Sequence, residues 1–190
     1  MLVVREPNDA DVARFIASQH ELPFTYAEVG ATNATTPPGY NVDHNRIQLG
    51  SGEATYRSAV DALQKWRHFE LGWVAIVPAG VVVEVGATVA VKARAYGTWS
   101  LNATRVVYVI DESRRFGFAY GTLPDHVEKG EERFLVEWMP DDSVWYDILA
   151  FSRPQHPLVK LSAPLARRLQ RQFARDSLSR MKYLAADERR

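Results

Sequence analysis

The chain has 190 residues, 46% hydrophobic and 24% charged, the proportions of a globular protein that can bury a core of its own. Its 23 basic and 23 acidic side chains cancel, so no molecule-wide field draws it to nucleic acid or to an anionic membrane. Cysteine is absent, which excludes disulfides, thiol catalysis and thiolate metal sites together.

In chain order, Asn8 and Asp9 follow Pro7 and suit a helix start, and Val12, Phe15 and Ile16 then make one apolar stripe. This predicts a helical extension over about 8–20, before Pro23. A short strand is expected over 24–29. Residues 30–45 are rich in Thr, Asn, Pro and Gly and read as a long loop. Ser51 or Gly52 opens a second helix to about Arg67, with Tyr56, Val60, Leu63 and Trp66 on one face.

From about Glu70 to Ser152 the pattern is β, with turn residues at Pro78-Ala79-Gly80, Gly86, Gly97, Asp111-Glu112-Ser113, Pro124-Asp125 and Pro140-Asp141-Asp142. Strands are expected near 71–77, 81–85, 88–96, 99–111, 115–123, 131–139 and 143–152. Connections this short make antiparallel neighbours. Alternation puts Val89, Val91 and Ala93 on one face, as it does Phe116, Phe118 and Tyr120, and Phe134, Val136 and Trp138. The strand after Ser143 is apolar on both sides. Ser162 and Pro164 open a helix over about 163–185, with Leu165, Leu169, Phe173 and Met181 as its apolar stripe.

A sheet with one apolar face must cover it, and the terminal helix is the long element available. The expected fold class is α+β: a helix-grip, in which a curved antiparallel sheet of about six to seven strands wraps around a long C-terminal helix. One such domain is expected over 1–190. This element order resembles that of ligand-binding proteins of the START and birch-pollen-allergen type.

Several segments are similar to a family known mainly by a number, the domain of unknown function nineteen-ninety, of bacteria and plants. They are Tyr26-Ala27-Glu28-Val29-Gly30-Ala31-Thr32, Leu49-Gly50-Ser51-Gly52, 66–73, 116–134, Ala150-Phe151-Ser152-Arg153-Pro154 and Gln170-Arg171-Gln172-Phe173, with 118–134 the most specific. The resemblance runs over nearly the whole chain. It implies the helix-grip superfamily and supports fold far more than function.

The densest set of chemical side chains is His126, Glu128, Glu131, Glu132 and Arg133. His126, Glu128 and Glu131 are weak candidates for acid–base work, against a solvated hairpin whose charges pair locally. His126-x-Glu128 resembles the start of a zinc-deaminase signature, but its Cys pair is missing and His20, His44, His68 and His156 match no metal spacing. Neither a metal nor a cofactor is expected. Leu49-Gly50-Ser51-Gly52 reads as a turn and helix cap rather than a phosphate loop, since Thr55 stands where a third Gly would be needed. No Gly-x-Ser-x-Gly occurs, and Ser100 and Ser152 read as ordinary strand and turn serines.

The favoured function is binding of a small apolar or amphipathic molecule between sheet and C-terminal helix. Its expected walls are Val91, Phe118, Tyr120, Phe134, Val136, Tyr146, Leu169 and Phe173, with His126, Glu131 or Arg153 orienting the ligand. A structural ion pair is the alternative for Arg153. One rival reading is a hydrolase or cyclase in the same cavity. Another is an RNA or protein interaction through the basic terminal helix, where residues 160–190 carry nine Lys and Arg against three Asp and Glu. No aromatic interleaving on that face supports nucleic acid. The first residues lack a basic start followed by an apolar run, and no window approaches 18 apolar residues, so a cytoplasmic protein without a membrane partner is expected.

Overall fold

The computed structural model describes residues 2–155 and 163–187. Its strands are β1 (Leu2–Val3), β2 (Asn41–Ser51), β3 (Val74–Val77), β4 (Thr88–Ala95), β5 (Thr98–Glu112), β6 (Arg115–Thr122), β7 (Glu128–Trp138) and β8 (Ser143–Pro154). The α-helices are α1 (Asp9–Gln19), α2 (Gly52–Gln64) and α3 (Ala163–Asp187). The sheet runs β2-β8-β7-β6-β5-β4-β3, with β1 added beside β5, and every pairing is antiparallel. Register shifts at Gln48/Gly50 and Val106/Tyr108 are the irregularities that let such a sheet bend. It curves around α3, as the helix-grip expectation requires.

The concave face carries the alternation read from sequence. Phe118, Phe134, Val136, Tyr146 and Ile148 are buried there with Leu63, Trp66, Phe69, Met181 and Leu184. So α2 shares with α3 the covering of this face, which the sequence reading had given to the terminal helix alone. Helix α2 stops where Trp66 adopts φ 58°, a left-handed conformation costly for a bulky residue. Burial of the ring and donation from its indole N–H to the Val81 carbonyl (2.8 Å) hold it there.

The convex face is also covered. A capping box between Asn8 and Asp11 starts α1, which packs Val12 and Phe15 on Ala90, Leu101, Ala103 and Leu123. Further along, residues 24–40 lie over β6, β7 and β8. This explains the doubly apolar β8: Tyr146 and Ile148 face inward, while Phe151 faces outward against the rings of Tyr26 and Tyr40.

Three sequence expectations need correction. The "loop" over 30–45 contains the start of β2, an edge strand paired only with β8. Residues 24–29 form no strand; they bind the convex face through side chains and one backbone bond, Thr25 N–H to the Thr122 carbonyl (3.1 Å). Residues 81–85 form none either, although Val81 and Val83 pack on the core and Val82 and Val85 are exposed. The expected cap Ser162, and His156, lie outside the described residues.

Candidate functional site

A cavity of about 530 Å³ lies between the concave face and α3. Register builds its apolar wall: Val91 pairs with Asn102 and Ala93 with Ser100, so all four side chains of β4 and β5 point the same way. Phe69, Trp73 and Val74 continue that wall, and Leu169 and Phe173 of α3 face it at helical spacing. The Trp73 indole N–H donates to Asp176 Oδ2 (2.9 Å), tying this rim to the helix.

The opposite wall is polar. On β7, Glu132 stands two residues before the inward Phe134 and therefore also points inward. Tyr120, opposite it on β6, donates its hydroxyl to Glu132 Oε2 (2.7 Å). Burial pushes the Glu132 carboxyl up to about 7, with the Tyr120 hydrogen bond opposing and nearby Asp43 adding to the rise. Asp43 itself is clamped by Arg167, whose Nη1 and Nη2 both bond it, the second at 3.0 Å. Gln170 donates to Ser152 Oγ (3.2 Å) beside them.

His126 and Glu128 also line the cavity. His126 Nδ1 lies within hydrogen-bond distance of both the Glu128 backbone N–H (3.0 Å) and the Glu128 carbonyl (3.1 Å). Burial drives the imidazole down to about 4, so it is neutral at pH 7, and raises the Glu128 carboxyl. The imidazole is thus held by the Glu128 backbone rather than by a carboxylate.

The other expected site residues divide by face. Val91, Tyr120, Leu169 and Phe173 line the cavity. Phe118, Phe134, Val136 and Tyr146 are not on its wall; they are fully buried in the core beside it, where α2 covers the sheet. Arg153 also leaves the wall, because it shares the outward side of β8 with Phe151, and its guanidinium stacks over Tyr40 (4.4 Å to the ring centroid). The backbone of Glu131 borders the cavity, but its carboxyl points the other way. On the convex face it accepts from the Tyr26 hydroxyl (2.7 Å), Gly30 N–H (2.7 Å), Thr32 N–H (2.9 Å) and the Thr32 hydroxyl. These bonds clasp the 26–32 segment to β7. Gly121 lets the Tyr26 hydroxyl sit against the strand, where a Cβ would overlap it.

Beside this clasp, Asp147 receives Arg133 (2.8 Å) and meets His44 Nε2 (2.5 Å). On α3, Arg167 and Arg180 are turned onto Asp43 and Glu70, while Arg168, Arg171 and Arg175 are exposed. Among the described residues, no group of three or more His, Asp or Glu is placed to hold a metal ion, and no helix is long and apolar enough to cross a membrane.

A family model described as "Domain of unknown function (DUF1990)" matches residues 25–180. A UPF0548 protein of Dictyostelium discoideum is 36% identical over 203 residues, spanning 95% of this chain and 94% of its own. A UPF0548 protein of Deinococcus radiodurans is 38% identical over 188 residues, spanning 92% and 94%. Two solved structures share the fold. A norcoclaurine synthase from Thalictrum superposes with TM-score 0.53 at 16% identity, over 82% of this chain and all of its own (100%). A hypothetical protein of Helicobacter pylori gives 0.52 at 13%, over 82% and 94%.

Proposed function

The chain belongs to the family described as domain of unknown function DUF1990, and from the cavity between its sheet and α3 we propose that it binds a small, largely apolar molecule. The observation that carries this reading is the 530 Å³ space between sheet and α3, within the range of small-molecule sites. Its lining follows the usual division for such sites. Phe69, Trp73, Val91, Leu169 and Phe173 offer apolar surface, and a few convergent polar groups around Glu132 and Tyr120 would fix orientation. The fold neighbour from Thalictrum was solved in complex with a transition-state analogue, so this architecture accommodates a small molecule elsewhere.

Native mass spectrometry of protein purified from cells, compared with the same sample denatured, tests the reading. An added mass on the intact protein, lost on denaturation and absent from an Ala93→Trp variant that fills the cavity, is the expected result. An identical mass in both states, after purification without detergent or organic solvent, argues against an occupied cavity.

A further inference from the structure

The walls of the cavity differ in how their charges are settled. Asp43 is neutralised by the two contacts from Arg167. The Glu131 carboxyl is turned to the convex face and held by donors there. Glu132 is settled differently. It lines the cavity, and its one hydrogen-bond partner among the described residues is the neutral Tyr120 hydroxyl. Among the described residues no Lys or Arg forms an ion pair with it. The titratable groups around it are Tyr120 on β6, Tyr146 on β8 and Asp43 on β2, with Arg167 of α3 committed to Asp43. Farther along the wall stand Glu128 and the neutral His126, and Arg171 of α3 is exposed at the cavity's edge. A second acceptor also lacks a donor: the amide N–H groups of Asn102 are directed at Val91 O and Ser100 Oγ, leaving its buried Oδ1 without a partner among the described residues.

A carboxylate without a cation in a largely apolar space is costly. Such a group either keeps its proton or receives a cation from outside the chain. An anionic ligand would meet Glu132 and Glu128 and would be repelled. A neutral apolar ligand would leave the Glu132 acceptor with Tyr120 alone. A ligand bearing a protonated nitrogen supplies both the missing charge and the missing donors.

We propose that the molecule held in this cavity carries a basic nitrogen, bound as an ammonium against the Glu132 carboxylate while its apolar body lies on Trp73, Val91 and Phe173. This rests on the cavity-binding reading and specifies its ligand class. It also implies a proton linkage. Glu132 titrates at about 7, so about a tenth of it is ionised at pH 6 and about nine tenths at pH 8. Affinity for an amine that stays protonated across this range therefore rises about tenfold between the two, with proton release on binding near pH 7.

The test is isothermal titration calorimetry with three probes of one shape: 4-phenylbutylamine, 4-phenylbutan-1-ol and 4-phenylbutyrate. At pH 8 the amine should bind at least about tenfold tighter than the alcohol, the increment of one good ionic contact, and the carboxylate weakest. Glu132→Gln should abolish the amine's advantage and leave the alcohol within about twofold. In wild type, the amine alone should strengthen from pH 6 to pH 8, a comparison that stands even where the variant folds poorly. An alcohol that binds as well as the amine, or an amine preference that survives Glu132→Gln, overturns the inference while the cavity reading stands. Failure of all three probes to bind overturns both.

Discussion

Replacing Glu132 with Gln should change how stability depends on pH, because the native carboxyl titrates at about 7 against an ordinary value of 4.5. Between those two values the folded protein keeps a proton that the unfolded chain has released. Stability contributed by Glu132 is therefore present at low pH and lost as pH rises through that window. The span corresponds to about 3 kcal/mol. Gln has the same shape, can still accept from the Tyr120 hydroxyl, and does not titrate. His68 and His126 act in the opposite sense, since burial lowers both imidazoles, so the quantity to follow is the difference between wild type and variant. Urea unfolding followed by tryptophan fluorescence at pH 5, 6, 7 and 8 gives that difference. The variant should gain on wild type by about 2.5 kcal/mol from the lowest to the highest pH. A difference that stays flat across the series would refute the placement of this carboxyl in a poorly solvated wall.

His68 is fully buried among Trp66, Phe69, Phe118 and Phe134, neither ring nitrogen has a hydrogen-bond partner among the described residues, and burial lowers it to about 3. Its folded value lies below the unfolded one of 6.5, so it costs stability as pH falls, about 4 kcal/mol by pH 3. His68→Leu should remove most of that acid sensitivity, as read from unfolding midpoints at pH 4 and pH 7; equal acid loss in both proteins would contradict the assignment. Glu131→Gln sets an amide N–H₂ against backbone and hydroxyl donors. It should cost about 2–4 kcal/mol and free the Gly30 and Thr32 amides to exchange with solvent before the rest of the sheet. Unchanged protection at those amides would count against the clasp.

Much of the fold is legible because its concave face repeats every second residue and α3 every third or fourth. Phe116, Phe118 and Tyr120 declare one strand face, and Leu169 with Phe173 one helix face. What hides the rest is physical. β2 is an edge strand with one neighbour, and its exposed His44 and Arg46 break the composition that strand reading relies on. With β2 unread, the Asp43–Arg167 pair could not be anticipated. Residues 24–29 have strand composition because Phe24 and Tyr26 are anchors on the convex face, not because they pair. Choosing Glu131 over Glu132 as a ligand contact was an error of register. Counting back by two from the inward Phe134 reaches Glu132 and leaves Glu131 outside, so the signal was present in the alternation. The expected walls Phe118 and Phe134 face the correct side, but the sequence does not tell where along a strand the covering helices close and where they leave space.

The central claim is that the space between sheet and α3 is a binding cavity. A direct test is titration of ligand-stripped protein with the neutral, apolar fluorophore N-phenyl-1-naphthylamine, comparing wild type with Ala93→Trp, which places an indole into the cavity from β4. The account predicts saturable one-to-one enhancement in wild type that is lost in the filled variant while its circular dichroism is unchanged. Enhancement that does not saturate, or that survives the filling substitution, would contradict it.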